Sequence, residues 1–358
     1  MPKTSEKFLI VLLPLLFLLV LFLPLKTYSV PFISQETEIA MGKGADKQIT
    51  RQYGIYQNKA LQLYVNRIGQ NLVSQLSDKV FPRFFFRIVD SSDINAFALP
   101  GGYVYVTLGL MALVNSEAEL AGVLGHEIGH IIFHHGAKQM VRSIGSQILA
   151  LGGAIASPKN AGQWLTISTA MFQQINMGYG REAEIESDEQ GILNIKEAGY
   201  SPYGMARFLK SLRLKEIMSG QSYHSFQASH PDTRDRIVKA GLLAGRMSNN
   251  TEVVNSYRNR YLNQILGLKY EGQKHAEDKK RHKPMYIGIY EVQKGDTFQS
   301  IAEKELGDRR KDLDITVMNG RKESSQPKLG ELLKLVRKGK FKKDKLLHIK
   351  PNPTPDPK

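Results

Sequence analysis

The segment Ser116-Glu-Ala-Glu-Leu-Ala-Gly-Val-Leu-Gly-His-Glu-Ile-Gly-His130 limits what this chain can fold into more than any other stretch. Ser116 followed three residues later by Glu119 is a capping box, in which a hydroxyl and a carboxylate satisfy the unpaired amide donors of a helix start. Leu120, Val123, Leu124, Ile128, Ile131 and Ile132 supply an apolar stripe at helical spacing. Gly122, Gly125 and Gly129 each lower helicity by up to ~1 kcal/mol relative to alanine, a cost that makes sense where another backbone packs against the helix. The segment is therefore predicted to be a buried helix with a close neighbour.

At about 100° per residue, His126 and His130 fall about 40° apart on that helix, so both imidazoles can reach one ion. Glu127 stands beside them, placed to take a proton from water and not to bind the metal. A catalytic zinc site needs three protein ligands and an open position, and two histidines with a glutamate form one standard set. The segment Gly180-Arg-Glu-Ala-Glu-Ile-Glu-Ser-Asp-Glu-Gln-Gly191 supplies acids at helical spacing. Glu184 and Asp188 are again one turn apart, so one can face the metal while the other hydrogen-bonds a ligand histidine from behind. His134 is the alternative third ligand, since it continues the same helical face, with His135 beside it. The extended histidine pattern that uses such a residue requires Gly at 133 and His at 136, where this chain has Phe133 and Gly136. His134 and His135 are therefore expected as helix-end residues that suit the C-terminal dipole.

Four motifs, in order, carry a resemblance. They are Asn95-Ala-Phe-Ala-Leu-Pro-Gly-Gly-Tyr-Val-Tyr-Val-Thr107, His126-Glu-Ile-Gly-His130, Arg181-x-x-Glu184-x-x-x-Asp188, and Ser229-His-Pro231 with Arg236 following. Over roughly residues 36 to 245 the chain resembles the M48 zinc metallopeptidases, especially bacterial periplasmic members. The resemblance implies an α+β fold, with a mostly helical zincin-like metallopeptidase domain and a small edge-strand sheet. It also implies one zinc ion per subunit, held by His126, His130 and Glu184, with Glu127 as general base and Asp188 behind a ligand histidine. His230 and Arg236 match residues that lie near the zinc and help stabilise the transition state. The implied substrates are unfolded or extended polypeptides, and the implied role is cleavage of misfolded or mislocalised cell-envelope proteins. His134 departs from the family, which commonly has arginine there.

In the first motif, Tyr103, Val104, Tyr105 and Val106 favour a strand, and Pro100-Gly101-Gly102 breaks the chain just before it. This strand is expected at a sheet edge beside the metal, where it would pair with extended substrate backbone. Asn95, Gly101, Gly102 and Tyr103 are accordingly the candidate substrate-binding residues; the alternative is the same strand buried in a core. On this reading Glu127 accepts the proton of the attacking water and returns it to the leaving amine. His230 is the first candidate donor to the oxyanion.

Lys3 and Lys7 precede an apolar run from Phe8 to Leu25, a pattern that directs export and is about long enough to span a bilayer. Residues 1–30 are read as a signal peptide or membrane anchor, with the enzyme in the bacterial periplasm at the inner membrane. The absence of cysteine rules out a lipoprotein anchor and any disulfide, so stability must come from core burial. The apolar runs Ile144 to Ser157 and Ala161 to Ile175 are too short for unbroken spans and are expected as buried or interfacial helices. Residues 31–267 form the expected peptidase domain, and 268–285 a charged linker.

Residues 286–338 follow as a second unit. Tyr290-Glu-Val-Gln-Lys-Gly-Asp-Thr-Phe-Gln-Ser-Ile-Ala302 resembles the opening of a LysM domain, which runs strand, turn, helix, helix, strand, although Leu306 to Met318 departs from that pattern. The resemblance implies binding to peptidoglycan; a LysM-like fold that only packs against the peptidase is the alternative. Residues 339–358 are a basic, proline-rich tail. The formal net charge of +15 is concentrated towards this end, and without a nucleic-acid motif it points to membrane surface or cell wall and not to nucleic acid. A second function class stays open: an envelope assembly or peptidoglycan-binding factor in which hydrolysis is secondary.

Overall fold

The structure, a computed structural model, describes residues 33–144, 178–219, 226, 229–230, 233–248, 256–269, 284–322, 324–339 and 341. The expectations for residues 1–30, for the apolar segments between 145 and 177, for the charged stretch up to 283 and for the tail beyond 341 lie outside the described residues. Among the described residues no helix is long and apolar enough to cross a membrane.

Helix α1 spans Gln35–Tyr53 and α2 spans Lys59–Ser74, each started by a side-chain cap: Ser34 accepts from the Thr37 amide and Asn58 from the Leu61 amide. Three strands follow, β1 (Phe85–Val89), β2 (Ala96–Leu99) and β3 (Tyr103–Thr107). They form a sheet in the order β1-β3-β2, with β1 parallel and β2 antiparallel to β3. The Tyr103 to Val106 segment is thus the central strand and not the edge that its sequence suggested. All five of its residues are buried, which suits a run of alternating aromatic and β-branched side chains with both faces covered. Among the described residues β1 and β2 are the edge strands, and the turn at Pro100-Gly101-Gly102 folds β2 back on β3 so that Leu99 faces Tyr103. Gly101 and Gly102 have φ of 78° and 94°, values that glycine adopts without strain.

The short helix α3 (Leu108–Leu113) leads directly into α4 (Glu117–Ile132), the predicted histidine helix. The Ser116 hydroxyl caps the Glu119 amide as expected, while the Glu119 carboxylate reaches one residue further back and accepts from the Asn115 amide. The three glycines of α4 meet backbone, as their cost implied. A Cβ on Gly122 would stand 2.6 Å from the Met205 amide nitrogen, and one on Gly129 would stand 2.9 Å from Ser187 Cα. The partners are α6 (Arg181–Glu197) and α7 (Gly204–Ser219), preceded in the chain by α5 (His135–Ile144). Gly191 on α6 returns the same close approach to His126 on α4. These contacts bring the acidic helix against the histidine helix. Helices α8 (Thr233–Met247) and α9 (Arg258–Ile265) complete the peptidase region.

Strand β4 (Met285–Glu291), α10 (Phe298–Leu306), a 3₁₀ turn (Arg309–Lys311), α11 (Asp312–Met318) and β5 (Leu332–Lys338) form a second unit around an antiparallel strand pair. Phe298, Ile301, Ile315, Leu333 and Leu335 give it a small core of its own. Ile287 and Ile289, however, belong to the same buried cluster as Leu120 and Leu124 of α4. Leu268, expected at the start of a linker, is buried in that cluster and accepts a backbone hydrogen bond from Ile287. The unit is seated on the peptidase region and shares its core.

Candidate metal centre and active site

Helix α4 ends at Ile132, and α6 runs against its histidine face. His126 Nε2 and His130 Nε2 are 3.0 Å apart, and Glu184 Oε1 lies 3.3 Å from His130 Nε2. His230 Nδ1 approaches the same point, 3.1 Å from Glu184 Oε1 and 3.2 Å from His126 Nε2. Ligand atoms of His126, His130, Glu184 and His230 all lie within 4.8 Å of one another, and all four side chains are buried. Three imidazole nitrogens and one carboxylate oxygen in tetrahedral range are a donor set suited to a divalent ion such as zinc.

Behind this cluster, Asp188 Oδ1 is 2.8 Å from His126 Nδ1. Arg236 grips Asp188 with two parallel bonds, Nε to Oδ2 at 2.7 Å and Nη2 to Oδ1 at 2.8 Å, and places Nη1 2.5 Å from Glu184 Oε2. Such a fork orients Asp188, and the third nitrogen ties Glu184 to the same guanidinium. Burial pushes the Glu184 carboxyl up, yet the charges of His230 and Arg236 outweigh it and hold the group well below the usual carboxylate range. Asp188 is lowered in the same way, with Arg236 opposing the effect of burial. Burial drives the His130 imidazole well below its ordinary value, so it is neutral and has a lone pair to give.

Glu127 behaves differently from the other acids. It is fully buried, burial raises its carboxyl, and neither of its oxygens has a hydrogen-bond partner among the described residues. The closest cationic atom is His230 Nε2, 3.4 Å from Glu127 Oε1 and itself without a partner. An unpartnered buried carboxylate is costly and marks a site of chemistry more often than one of packing.

Several expected residues thus converge: His126, His130, Glu184, Asp188, Glu127, His230 and Arg236. His230 sits inside the ligand cluster itself, nearer than a donor standing beside it needs to be. Asn95 is adjacent, accepting from the Ser229 hydroxyl at 3.4 Å. Gly101 and Gly102 pack on the backbone of Ile39 and Arg83, and Tyr103 stacks on Phe85. These three build the β2–β3 turn because a Cβ at either glycine would collide with main chain. His134 does not continue the helix: it has φ of 54° and pairs with Glu38 at 2.6 Å. His135 is not a helix end either, since it opens α5. Sequence reasoning missed Tyr179, whose ring stacks on His130 with centroids 4.1 Å apart and whose buried hydroxyl has no hydrogen-bond partner among the described residues. Its nearness to the motif starting at Arg181 was the available signal.

A buried helix bearing paired histidines, a glutamate from a neighbouring helix and an unpartnered acid define a metallopeptidase centre. Residues 59–241 match the model of Peptidase family M48, and the chain belongs to that family. It is 29% identical over 221 residues to the beta-barrel assembly-enhancing protease of Escherichia coli, a match covering 59% of this chain and 44% of that protein. It is 30% identical over 154 residues to the metalloprotease YcaL of Escherichia coli, covering 42% of this chain and 58% of YcaL. With the mitochondrial metalloendopeptidase OMA1 of Schizosaccharomyces pombe it shares 28% identity over 214 residues, 58% of this chain and 61% of that one. The chain spans less than half the length of the first of these relatives.

Proposed function

We propose that this protein is a zinc-dependent endopeptidase that cuts extended segments of misfolded or mislocalised cell-envelope proteins. His126, His130 and Glu184 would hold the ion. When bound, zinc supplies Lewis-acid polarisation of the scissile carbonyl and acidification of water. Glu127 takes the proton of the attacking water and hands it to the departing amine, and its lack of a hydrogen-bond partner among the described residues supports that role. Asp188 orients the His126 ring, and Arg236 fixes Asp188 and Glu184 together. His230 donates to the developing oxyanion from its place beside Glu127 and Glu184; in this role it moves off the cluster, because a fourth side-chain ligand would fill the position that substrate requires. Substrate backbone adds to β2, an edge strand among the described residues, beside Asn95, where main-chain bonds give affinity with little regard to side chains.

The periplasmic setting rests on the N-terminal apolar run, read as a signal or inner-membrane anchor, and on the bacterial relative named for beta-barrel assembly. The strand-helix-helix-strand order of residues 285–338 supports a LysM-like unit facing peptidoglycan. That unit also favours a second reading, an envelope assembly factor in which hydrolysis is secondary. The observation carrying the peptidase reading is the convergence of four ligand atoms beside an unpartnered glutamate. Zinc content and casein cleavage by the purified full chain, compared with Glu184→Ala, test it: loss of both is expected. Cleavage retained by Glu184→Ala would overturn it.

A further inference from the structure

Each ligand histidine of α4 has a ring nitrogen facing away from the cluster, and the two are held by different means. His126 Nδ1 meets Asp188 at 2.8 Å. His130 Nδ1 instead meets another imidazole, His135 Nδ1, at 2.9 Å, and His135 Nε2 meets Glu186 Oε2 at 3.0 Å. The Ser187 hydroxyl lies 3.3 Å from the same His135 Nδ1.

The proton positions follow from the metal site proposed above, on which this step rests. A nitrogen that binds an ion offers its lone pair, so His130 Nε2 is unprotonated and Nδ1 carries the ring proton and donates it. His135 Nδ1 must then accept, which leaves the His135 proton on Nε2, where the Glu186 carboxylate accepts it. Both bonds are satisfied in one arrangement, and it runs from the ligand to a carboxylate.

The backbone is built for this. On a continuous helix His135 would stand five residues past His130, about 140° around the axis and out of reach. The left-handed conformation of His134, φ 54°, breaks the helix there and swings His135 back beneath His130. Glu38 from α1 holds His134 in that conformation with a 2.6 Å bond, and Phe81 packs edge-on against its ring. A left-handed residue without a glycine persists only where its surroundings over-determine it.

We infer that His135, backed by Glu186, is the positioning residue for the metal ligand His130, as Asp188 is for His126. The two supports differ in one respect. Asp188 is clamped by Arg236 in the interior, whereas the Glu186 side chain is half exposed, so the His130 support ends at solvent.

The test uses the full chain and its His135→Phe, His135→Asn and Glu186→Gln variants, titrated with zinc against a chromophoric chelator, with thermal unfolding of the metal-free proteins as a control. Phenylalanine keeps the ring but cannot accept, and affinity should fall about 10–100-fold. Asparagine, whose amide oxygen can accept from His130 Nδ1, should recover most of that loss, and Glu186→Gln should weaken binding less than His135→Phe. The Co²⁺ spectrum should shift in His135→Phe and return in His135→Asn. A folded His135→Phe with wild-type zinc affinity, or His135→Asn no better than His135→Phe, would overturn the assignment. If His135→Phe does not fold, wild-type affinity in His135→Asn supports it, and a loss there as large as that of an Asp188→Ala control overturns it. Absence of zinc binding by the wild-type chain would instead overturn the metal reading beneath it.

Discussion

The two ends of helix α4 carry buried polar clusters of opposite character. At the N-terminal end every charge is answered. Lys334, wholly buried on β5 of the C-terminal unit, donates its three protons to the carbonyls of Ala112, Leu113 and Val114 at 2.6, 2.9 and 2.7 Å, closing the end of α3. Arg258 bonds the Asn115 carbonyl and the Asn319 side chain, and Glu117 accepts from Tyr64, Tyr200 and Arg260. At the C-terminal end the Glu127 oxygens, His230 Nε2 and the Tyr179 hydroxyl have no hydrogen-bond partner among the described residues. A satisfied network holds elements in place, while unanswered groups in a dry pocket are held ready for something that arrives later. One helix is therefore anchored at one end and reactive at the other.

Substitutions at the two ends should separate these roles. The largest effect is expected for Glu127→Gln, which should lower casein cleavage by about 10²–10⁴-fold with zinc content, measured by mass spectrometry, unchanged. Retained cleavage would mean that the unpartnered carboxylate is not the proton acceptor. Lys334→Met strips three helix-end carbonyls of their donor and should cost about 3 kcal/mol in denaturant unfolding. An unchanged midpoint would show the anchored end to be dispensable. Gly129→Ala pushes a methyl group to 2.9 Å from Ser187 Cα, for a loss of about 1–3 kcal/mol together with weaker metal binding, since it parts α4 from the helix carrying Glu184. The smallest change is expected for Tyr179→Phe: removing a hydroxyl with no hydrogen-bond partner among the described residues should leave the thermal midpoint level or slightly raised. A marked drop would reveal a bond in solution and blur the contrast between the ends.

What could be read from the sequence was whatever depends on local spacing. Ser116 as a cap, the paired rings of His126 and His130, and the one-turn step from Glu184 to Asp188 are all set by helix geometry within a few residues. The glycines of α4 even announced a close neighbour, though not which helix it would be. Position in the sheet was less legible. A hairpin turn at Gly101 and Gly102 says that two strands pair, but not which of them takes a further partner, and so the central strand was mistaken for the edge. The His134 turn was hidden because a left-handed histidine is imposed by Glu38, which lies far away in sequence. Lys334 carried no signal, since a lysine within a strand of leucines reads as a solvent-facing position. Its burial depends on α3 presenting bare carbonyls to it.

The glycine contacts between α4 and α6 bring main chain against main chain at Gly125, Gly129 and Gly191. Elements that touch main chain to main chain cannot slide past one another in small steps, as cushioned helices do, without first lifting apart. His126, His130 and Glu184 thus behave as points on one stiff plate. A motion that kept this contact would leave the separation of His126 and His130 from Glu184 unchanged.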